Sequence, residues 1–283
     1  MGLMRVIDTV QSGYASLSRI VGVVVDPPRA VPDYGAPAPY GEAEMRNVSF
    51  SYDNGGWAVR DISLNIPAGH TVALVGASGA GKTTVAALLA GLRVPEEGKV
   101  LVDGVEVALL SDAERVARLA MISQEVHVFS GTLREDLSLA APQASDAQML
   151  QALERVGARW FAHLDEGLDT VIGSQGVQLD PVASQQLALA RILLLDPKIV
   201  IMDEATAEAG SVGAEALEKG AIEVTRGRSA LVVAHRLDQA ARADRIIVMD
   251  NGRVVEQGSH HDLLDYGGRY KHLWDAWQKG RQG

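Results

Sequence analysis

An α/β fold is what this sequence predicts, on three observations. Four short apolar runs, at residues 71–75, 199–202, 230–234 and 245–249, are each bounded by polar, turn-forming or helical sequence, as buried strands are. The first of them runs into a glycine-rich turn and then a helical stretch, the strand–turn–helix order of an α/β unit. Composition agrees. In 283 residues, 47% hydrophobic and 22% charged side chains suffice for a packed core and argue against wholesale disorder. With no cysteine there is neither a disulfide nor a thiolate metal site, which fits a reducing cytoplasm. A net charge of −10 argues against broad nucleic-acid binding, which needs a basic surface. No apolar run reaches the ~18 residues of a spanning helix, and no secretory signal pattern is seen.

Along the chain, residues 1–25 stand apart. Ile7, Val10, Tyr14, Leu17, Val21 and Val24 recur at spacings of three and four, drawing one apolar stripe down a helix. Residues 26–41 hold five of the ten prolines and read as an extended, semi-rigid linker. The main domain is therefore expected over residues 42–283. Residues 48–52 and 61–66 alternate like half-buried strands, and residues 71–75 form the buried strand before the glycine-rich turn. Residues 82–92 follow as a helix, with Gly81 at its start and Gly91 at its end. Residues 99–102 are a strand, turned by Asp103-Gly104. Ser145 with Gln148 three residues on is a capping box, opening a helix through about Val156. Strands at 199–202, 230–234 and 245–249 complete the series.

Gly76-Ala77-Ser78-Gly79-Ala80-Gly81-Lys82-Thr83, with Thr84 next, completes the phosphate-binding P-loop pattern, after a strand and before a helix. Glycines let successive backbone N–H groups turn inward around phosphates, and the helix N-terminus adds a favourable dipole. Lys82 is expected to reach the β- and γ-phosphates of a nucleoside triphosphate, and Thr83 to hold Mg²⁺ through its hydroxyl. Downstream, the run at 199–202 ends in Asp203-Glu204. In P-loop enzymes the aspartate at such a strand end holds the metal, and Glu204 is placed to polarise an attacking water as general base. Alone, an acidic pair at a strand end is usually just solvated. Beside a P-loop it becomes a catalytic candidate.

Three further positions fall at family-like spacing from the P-loop: Tyr52 in Phe50-Ser51-Tyr52, Gln124 in Ile122-Ser123-Gln124-Glu125, and His235 in Ala234-His235-Arg236. With them, the stretch from Glu44 to about Gln278 resembles the nucleotide-binding domain of ABC transporters. The resemblance implies a P-loop NTPase core of the ABC ATPase kind, with an antiparallel β subdomain and an α-helical subdomain at about residues 125–192. ATP and Mg²⁺ are the implied ligand and cofactor. Tyr52 is then the aromatic that stacks on adenine, Gln124 contacts Mg²⁺ and senses a membrane domain, and His235 reads the γ-phosphate. Three stretches are similar to the exporter branch: Val128-Phe129-Ser130-Gly131-Thr132-Leu133-Arg134-Glu135, the ending Tyr270-Lys271-His272-Leu273-Trp274, and the N-terminal helix. That helix resembles the cytoplasmic end of the last transmembrane helix in fused half-transporters. An excised domain working at the cytoplasmic face of the inner membrane is expected, with a free-standing subunit as the alternative.

One family motif departs from the pattern. The signature, normally Leu-Ser-Gly-Gly-Gln at the start of a helix, falls at Leu179-Asp180-Pro181-Val182-Ala183. Val177-Gln178-Leu179 before it and Ala188-Leu189-Ala190-Arg191 after it hold the register. In the family this helix start offers a serine hydroxyl and glycine N–H groups to ATP bound on the opposite subunit. Here Asp180 brings negative charge toward a polyphosphate, Pro181 deletes a donor, and Val182 adds a branched side chain. Yet Asp followed by Pro is among the best helix starts, so the helix is expected to persist without its phosphate-reading surface. Ser174 stands where the exporter loop usually carries glutamate, and Gly210 where a cross-dimer aspartate is usual. The expected assembly is a heterodimer with one competent site, whose partner has an intact signature. A homodimer with two impaired sites, a non-hydrolytic ATP-dependent dimerisation module and an ABC ATPase without a membrane partner are the alternatives.

Overall fold

The computed structural model describes residues 41–52, 55–123, 126–203, 211–234 and 236–282. All belong to the second of two units into which the chain divides, Ala36–Gly283. The amphipathic helix expected at 1–25 and nearly all of the proline-rich linker at 26–41 lie outside the described residues.

Two sheets and a helical layer make up the domain. β1 (Ala43–Ser51) and β2 (Trp57–Ile66) pair antiparallel. β3 (Thr71–Val75) leads through the glycine-rich turn into α1 (Lys82–Leu89), after which β4 (Glu97–Val102) and β5 (Val105–Glu106) complete a four-stranded antiparallel sheet of order β2-β1-β4-β5. α2 (Asp112–Arg118) feeds β6 (Leu119–Ile122). β7 (Gly131–Thr132), α3 (Leu133–Ser138), α4 (Asp146–Arg155), β8 (Val171–Ile172) and α5 (Pro181–Leu195) form the helical part. The chain then returns through β9 (Ile199–Asp203), α6 (Ser211–Thr225), β10 (Ser229–Val233), α7 (Leu237–Ala240), β11 (Arg245–Asp250) and β12 (Arg253–Gly258). It finishes on α8 (His260–Tyr266) and α9 (Arg269–Gln282). The central sheet has the order β12-β11-β3-β10-β9-β6, parallel except for β12. No described helix is long and apolar enough to cross a membrane.

The central strands form where apolar runs are continuous, because helices and the second sheet cover both faces. All five residues of β9 are buried, as are four of five in β3. One core lies between the antiparallel sheet, α1 and the central sheet, and includes Met45, Ile62, Leu74, Leu88 and Ile201. A second joins the helical part to the sheet through Leu133, Leu153, Leu187 and Met202. Around β11, Ile246, Val248, Leu263 and Tyr270 make a third. There burial pushes the Tyr270 hydroxyl up to about 12, and it shares a 2.8 Å hydrogen bond with His260 Nδ1.

Boundaries differ from expectation where the backbone bends. β1 begins at Ala43 rather than residue 48, because its register shifts between Met45 and Val48, where Asn47 takes φ +48. β2 starts at Trp57 rather than 61, with Asp61 at φ +55. Such bulges break the two-residue alternation by which a strand is recognised. α1 closes at Leu89, short of 92, since Gly91 adopts φ +69 just past the cap.

One buried ion pair fastens the helical part. Arg191 of α5 bonds Asp136 of α3 through Nε at 2.7 Å and through Nη2, and its Nη1 donates to His127 O at 2.9 Å. Phe129 N donates to the same carboxylate at 3.1 Å, and the Asp136 side chain is fully buried. Arg191→Ala would strand that carboxylate without its cation. A loss of about 3 kcal/mol in urea-unfolding stability is expected, against about 1 kcal/mol or less for an exposed pair such as Lys219–Glu215.

Candidate nucleotide-binding site

β3 delivers the chain to a turn whose geometry only glycine permits. A Cβ on Gly76, at φ +154, would sit 2.3 Å from Met249 O. On Gly81, at φ +96, it would sit 2.8 Å from Val59 Cγ1. Ala80 N closes the turn on Ala77 O at 3.1 Å, and Gly252 N, from the β11–β12 turn, holds Ala80 O at 3.2 Å. Gly81 is the N-cap of α1 and supplies no capping side chain. The first turn of α1 therefore faces the loop with its dipole uncompensated by any cap, the arrangement that receives anions.

Lys82 is 8% exposed, and its Nζ donates to Gly76 O at 2.9 Å and Ala77 O at 3.0 Å. The ammonium thus sits across the mouth of the loop, beside an open cleft of about 460 Å³. Tyr52, Ser78, Thr83, Thr84 and Ala234 also line that cleft. Thr83 is exposed, so its hydroxyl is open to the cleft. Thr84 is buried and shares a 3.2 Å hydrogen bond with the Tyr52 hydroxyl. Tyr52 is itself 45% exposed, an aromatic surface left uncovered beside a phosphate loop. Its strand end is pinned by Glu96, which accepts from Ser51 N at 2.9 Å and Ser51 Oγ at 2.6 Å, bonds that hold the Glu96 carboxyl below its usual range.

Topology brings the acidic strand end to the same edge. β3, β10 and β9 are parallel neighbours, and their register aligns Leu74 with Val233 and Val233 with Asp203. Their carboxyl ends therefore form one rim, where ligands of open parallel sheets collect. Asp203 lies there, 4% exposed. Ser123 after β6 and Ala234 after β10 belong to the same rim. Gln124, Glu204 and His235 follow those three positions and lie outside the described residues, as do Glu208 and Gly210. Among the described residues no group of three or more acidic or histidine side chains could hold a metal. Mg²⁺ fits the site differently. The hard oxygen donors of Thr83 and Asp203 would hold it together with phosphate oxygens and water, its usual ligand set.

The start of α5 is built the opposite way from that of α1. Asp180 is the N-cap, its Oδ1 accepting from Ala183 N at 2.7 Å, with Pro181 at the first helical position. Ser184 N bonds Asp180 O at 2.9 Å. Of the three N–H positions in the first turn, Pro181 has none and Ala183 is occupied by carboxylate. Val182 is half-buried and packs into the helical core, and Ala183 is 4% exposed. Nearby, Ser174 Oγ pairs with Ser130 Oγ at 2.7 Å. Sequence reasoning missed the link from α5 to the central sheet, where Gln185 Nε2 donates to Ser123 O at 3.4 Å. Its two ends are 62 residues apart and no local pattern marks it.

The sequence matches the family described as ABC transporter over residues 59–207, just over half of the chain. It is 41% identical over 236 residues to the ATP-dependent lipid A-core flippase of Escherichia coli (strain K12), covering 82% of this chain and 40% of that protein. It is 39% identical over 237 residues to the uncharacterized ABC transporter ATP-binding protein YwjA of Bacillus subtilis (strain 168), covering 83% and 41%. YfiC, an uncharacterized ABC transporter ATP-binding protein of the same bacterium, is 33% identical over 273 residues, covering 95% and 45%. The chain thus spans about two fifths of the length of the curated relatives it matches. With a P-loop cradle, an exposed aromatic and an acidic strand end on one rim, the chain belongs to the ABC transporter family as one of its ATP-binding domains.

Proposed function

We propose that this chain is the ATP-binding and ATP-hydrolysing domain of an exporter-type transporter, and that it works in an asymmetric pair with a second nucleotide-binding domain. The observation that carries the asymmetry is the 2.7 Å bond from Ala183 N to Asp180 Oδ1, which fills the α5 start with this chain's own carboxylate. In the competent site, Lys82 and the N–H groups of the loop bind the β- and γ-phosphates, and Tyr52 carries the base. Thr83, Asp203 and Gln124 would hold Mg²⁺, which neutralises charge developing on the phosphates when bound. Glu204 takes a proton from the attacking water as its oxygen bonds to the γ-phosphorus and the bond to ADP breaks. His235 reads the γ-phosphate. The partner supplies an intact signature across the interface.

The other site pairs this chain's α5 with the partner's P-loop. There a carboxylate faces a polyphosphate, and ATP is held weakly or without turnover. Relatives named as an ABC transporter ATP-binding protein and an ATP-dependent lipid A-core flippase support a role in ATP-driven transport. On this reading the domain works on the cytoplasmic face of the inner membrane beside a transmembrane partner. Nothing in the −10 charge favours nucleic acid. The capped α5 start also favours a second reading, a dimerisation module that binds ATP without hydrolysing it.

Steady-state phosphate release separates the readings. Alone, the chain is expected to turn over slowly at every protein concentration. A partner domain with an intact signature should raise the rate, and Glu204→Gln in this chain should abolish the gain. Robust cooperative turnover of the chain alone, indifferent to Glu204→Gln, would sink the asymmetric reading. Binding and pairing without any single-turnover hydrolysis would establish the dimerisation module instead.

A further inference from the structure

The ring of Tyr52 is held on three sides. Its hydroxyl bonds Thr84, and the Phe50 ring stands at 90° to it with the ring centroids 4.9 Å apart. Over the ring, at 5.7 Å from its centroid, lies the guanidinium carbon of Arg93. Arg93 follows α1, is exposed, and has no described carboxylate paired with it. It is absent from the lining of the P-loop cleft, where Tyr52 stands, and lines instead a separate hollow of about 120 Å³ with Val94, Pro95 and Arg115. The cation thus lies over one face of the ring, and it is not among the residues that line the cleft beside Tyr52.

We infer that Arg93 is a positioning residue for the nucleotide base: it backs Tyr52 and makes the cleft-side face of the ring selective for a purine. The inference rests on Tyr52 being the base platform. A guanidinium over a ring is attracted by the negative π-face and fixes the ring plane. It also draws electron density from the far face, and an electron-rich purine stacks better on an electron-poor ring. Thr84 sets the ring from its hydroxyl end, so the platform is tied both to α1 and to the segment after it. Arg93 touches neither phosphate nor base in this arrangement. Its effect passes through Tyr52.

The test compares ATP with inorganic tripolyphosphate, each with Mg²⁺, in binding to the chain and to Tyr52→Ala, Arg93→Ala, Arg93→Gln and Arg93→Lys. Tripolyphosphate keeps the charges and lacks the base. Arg93→Ala and Arg93→Gln are expected to weaken ATP about two- to five-fold, the worth of an exposed cation–π contact. Tripolyphosphate affinity should stay unchanged, and Arg93→Lys should recover most of the loss. Equal losses for both ligands would reduce Arg93 to a long-range charge and overturn the inference. So would an unchanged Arg93→Ala beside a weakened Tyr52→Ala, which leaves the platform standing without its backing. If Tyr52→Ala also leaves the ratio of the two affinities unmoved, the platform itself fails, and the inference with it.

Discussion

Lys82→Met is expected to weaken ATP binding by roughly three orders of magnitude while the domain stays folded. The methionine keeps the buried stem in place, since only 8% of Lys82 is exposed, and removes the ammonium alone. In the free domain that ammonium bonds the carbonyls of Gly76 and Ala77 at 2.9 and 3.0 Å. On the proposed function it would turn to two phosphate groups when nucleotide binds, each through a charge-assisted bond worth about 2 kcal/mol. Two such bonds, about 4 kcal/mol together, give the thousandfold change at 1.36 kcal/mol per decade. Folding loses less, because both bonds are only part-buried and water can take the place of the ammonium. Fluorescence titration with a labelled ATP reads the affinity, and thermal melting reads the fold. Arginine should not rescue, because a planar fork does not fit where a compact ammonium sits between two carbonyls of one tight loop. Tight ATP binding by Lys82→Met would mean that the loop's N–H groups and Tyr52 suffice, and that the lysine serves only the empty loop.

Much of this architecture was legible because its determinants are local. β3, β9, β10 and β11 are continuous apolar runs, and their burial on both faces is what makes them so. The box at Ser145 and Gln148 opens α4 through bonds spanning three residues. The same pattern opens α2 from Ser111, α3 from Thr132 and α8 from Ser259, and it stands in the sequence just as plainly. Asp180 at the start of α5 was legible for the same reason, its acceptor and its donor being neighbours. What was not legible depends on distance or on a bent backbone. The bulges at Asn47 and Asp61 hide the first halves of β1 and β2, because a residue at positive φ flips the face to which the next side chain belongs. Arg191 reaches Asp136 across 55 residues and His127 across 64, and no spacing announces either contact. The bond from Tyr52 to Thr84 and the cover of Arg93 over the ring are of the same kind. They follow from how the antiparallel sheet packs on α1, and only the folded chain brings them together.

Rebuilding the start of α5 as Asp180→Ser, Pro181→Gly, Val182→Gly and Ala183→Gln is expected to raise phosphate release by a pair of identical chains about a hundredfold. Two helix starts in this one domain are built in opposite ways. α1 has a glycine cap and leaves its first N–H groups to a ligand, whereas α5 has spent one on Asp180 and lacks another at Pro181. Asp180→Ser removes a negative charge from the surface that would meet the γ-phosphate, yet keeps an oxygen able to cap the helix. At a partly screened interface that charge is worth about 1–2 kcal/mol, or roughly tenfold. Pro181→Gly restores a donor and Val182→Gly lets the backbone approach, and one well-aimed donor to a developing oxyanion contributes about a hundredfold or more. Stability moves the other way. Glycine in the first turn costs about 1 kcal/mol, and losing Val182 takes a side chain from the helical core. Glutamine at the buried Ala183 position adds strain, so Asp180→Ser alone is the control that stays well folded. It should give about a tenfold gain without a drop in melting temperature. If both variants fold and pair in the presence of ATP while hydrolysis remains flat, the helix start is not what limits this chain. Ser174 and Gly210 would then be the next positions to change, the other two at which the sequence departs from the pattern that the family resemblance implies.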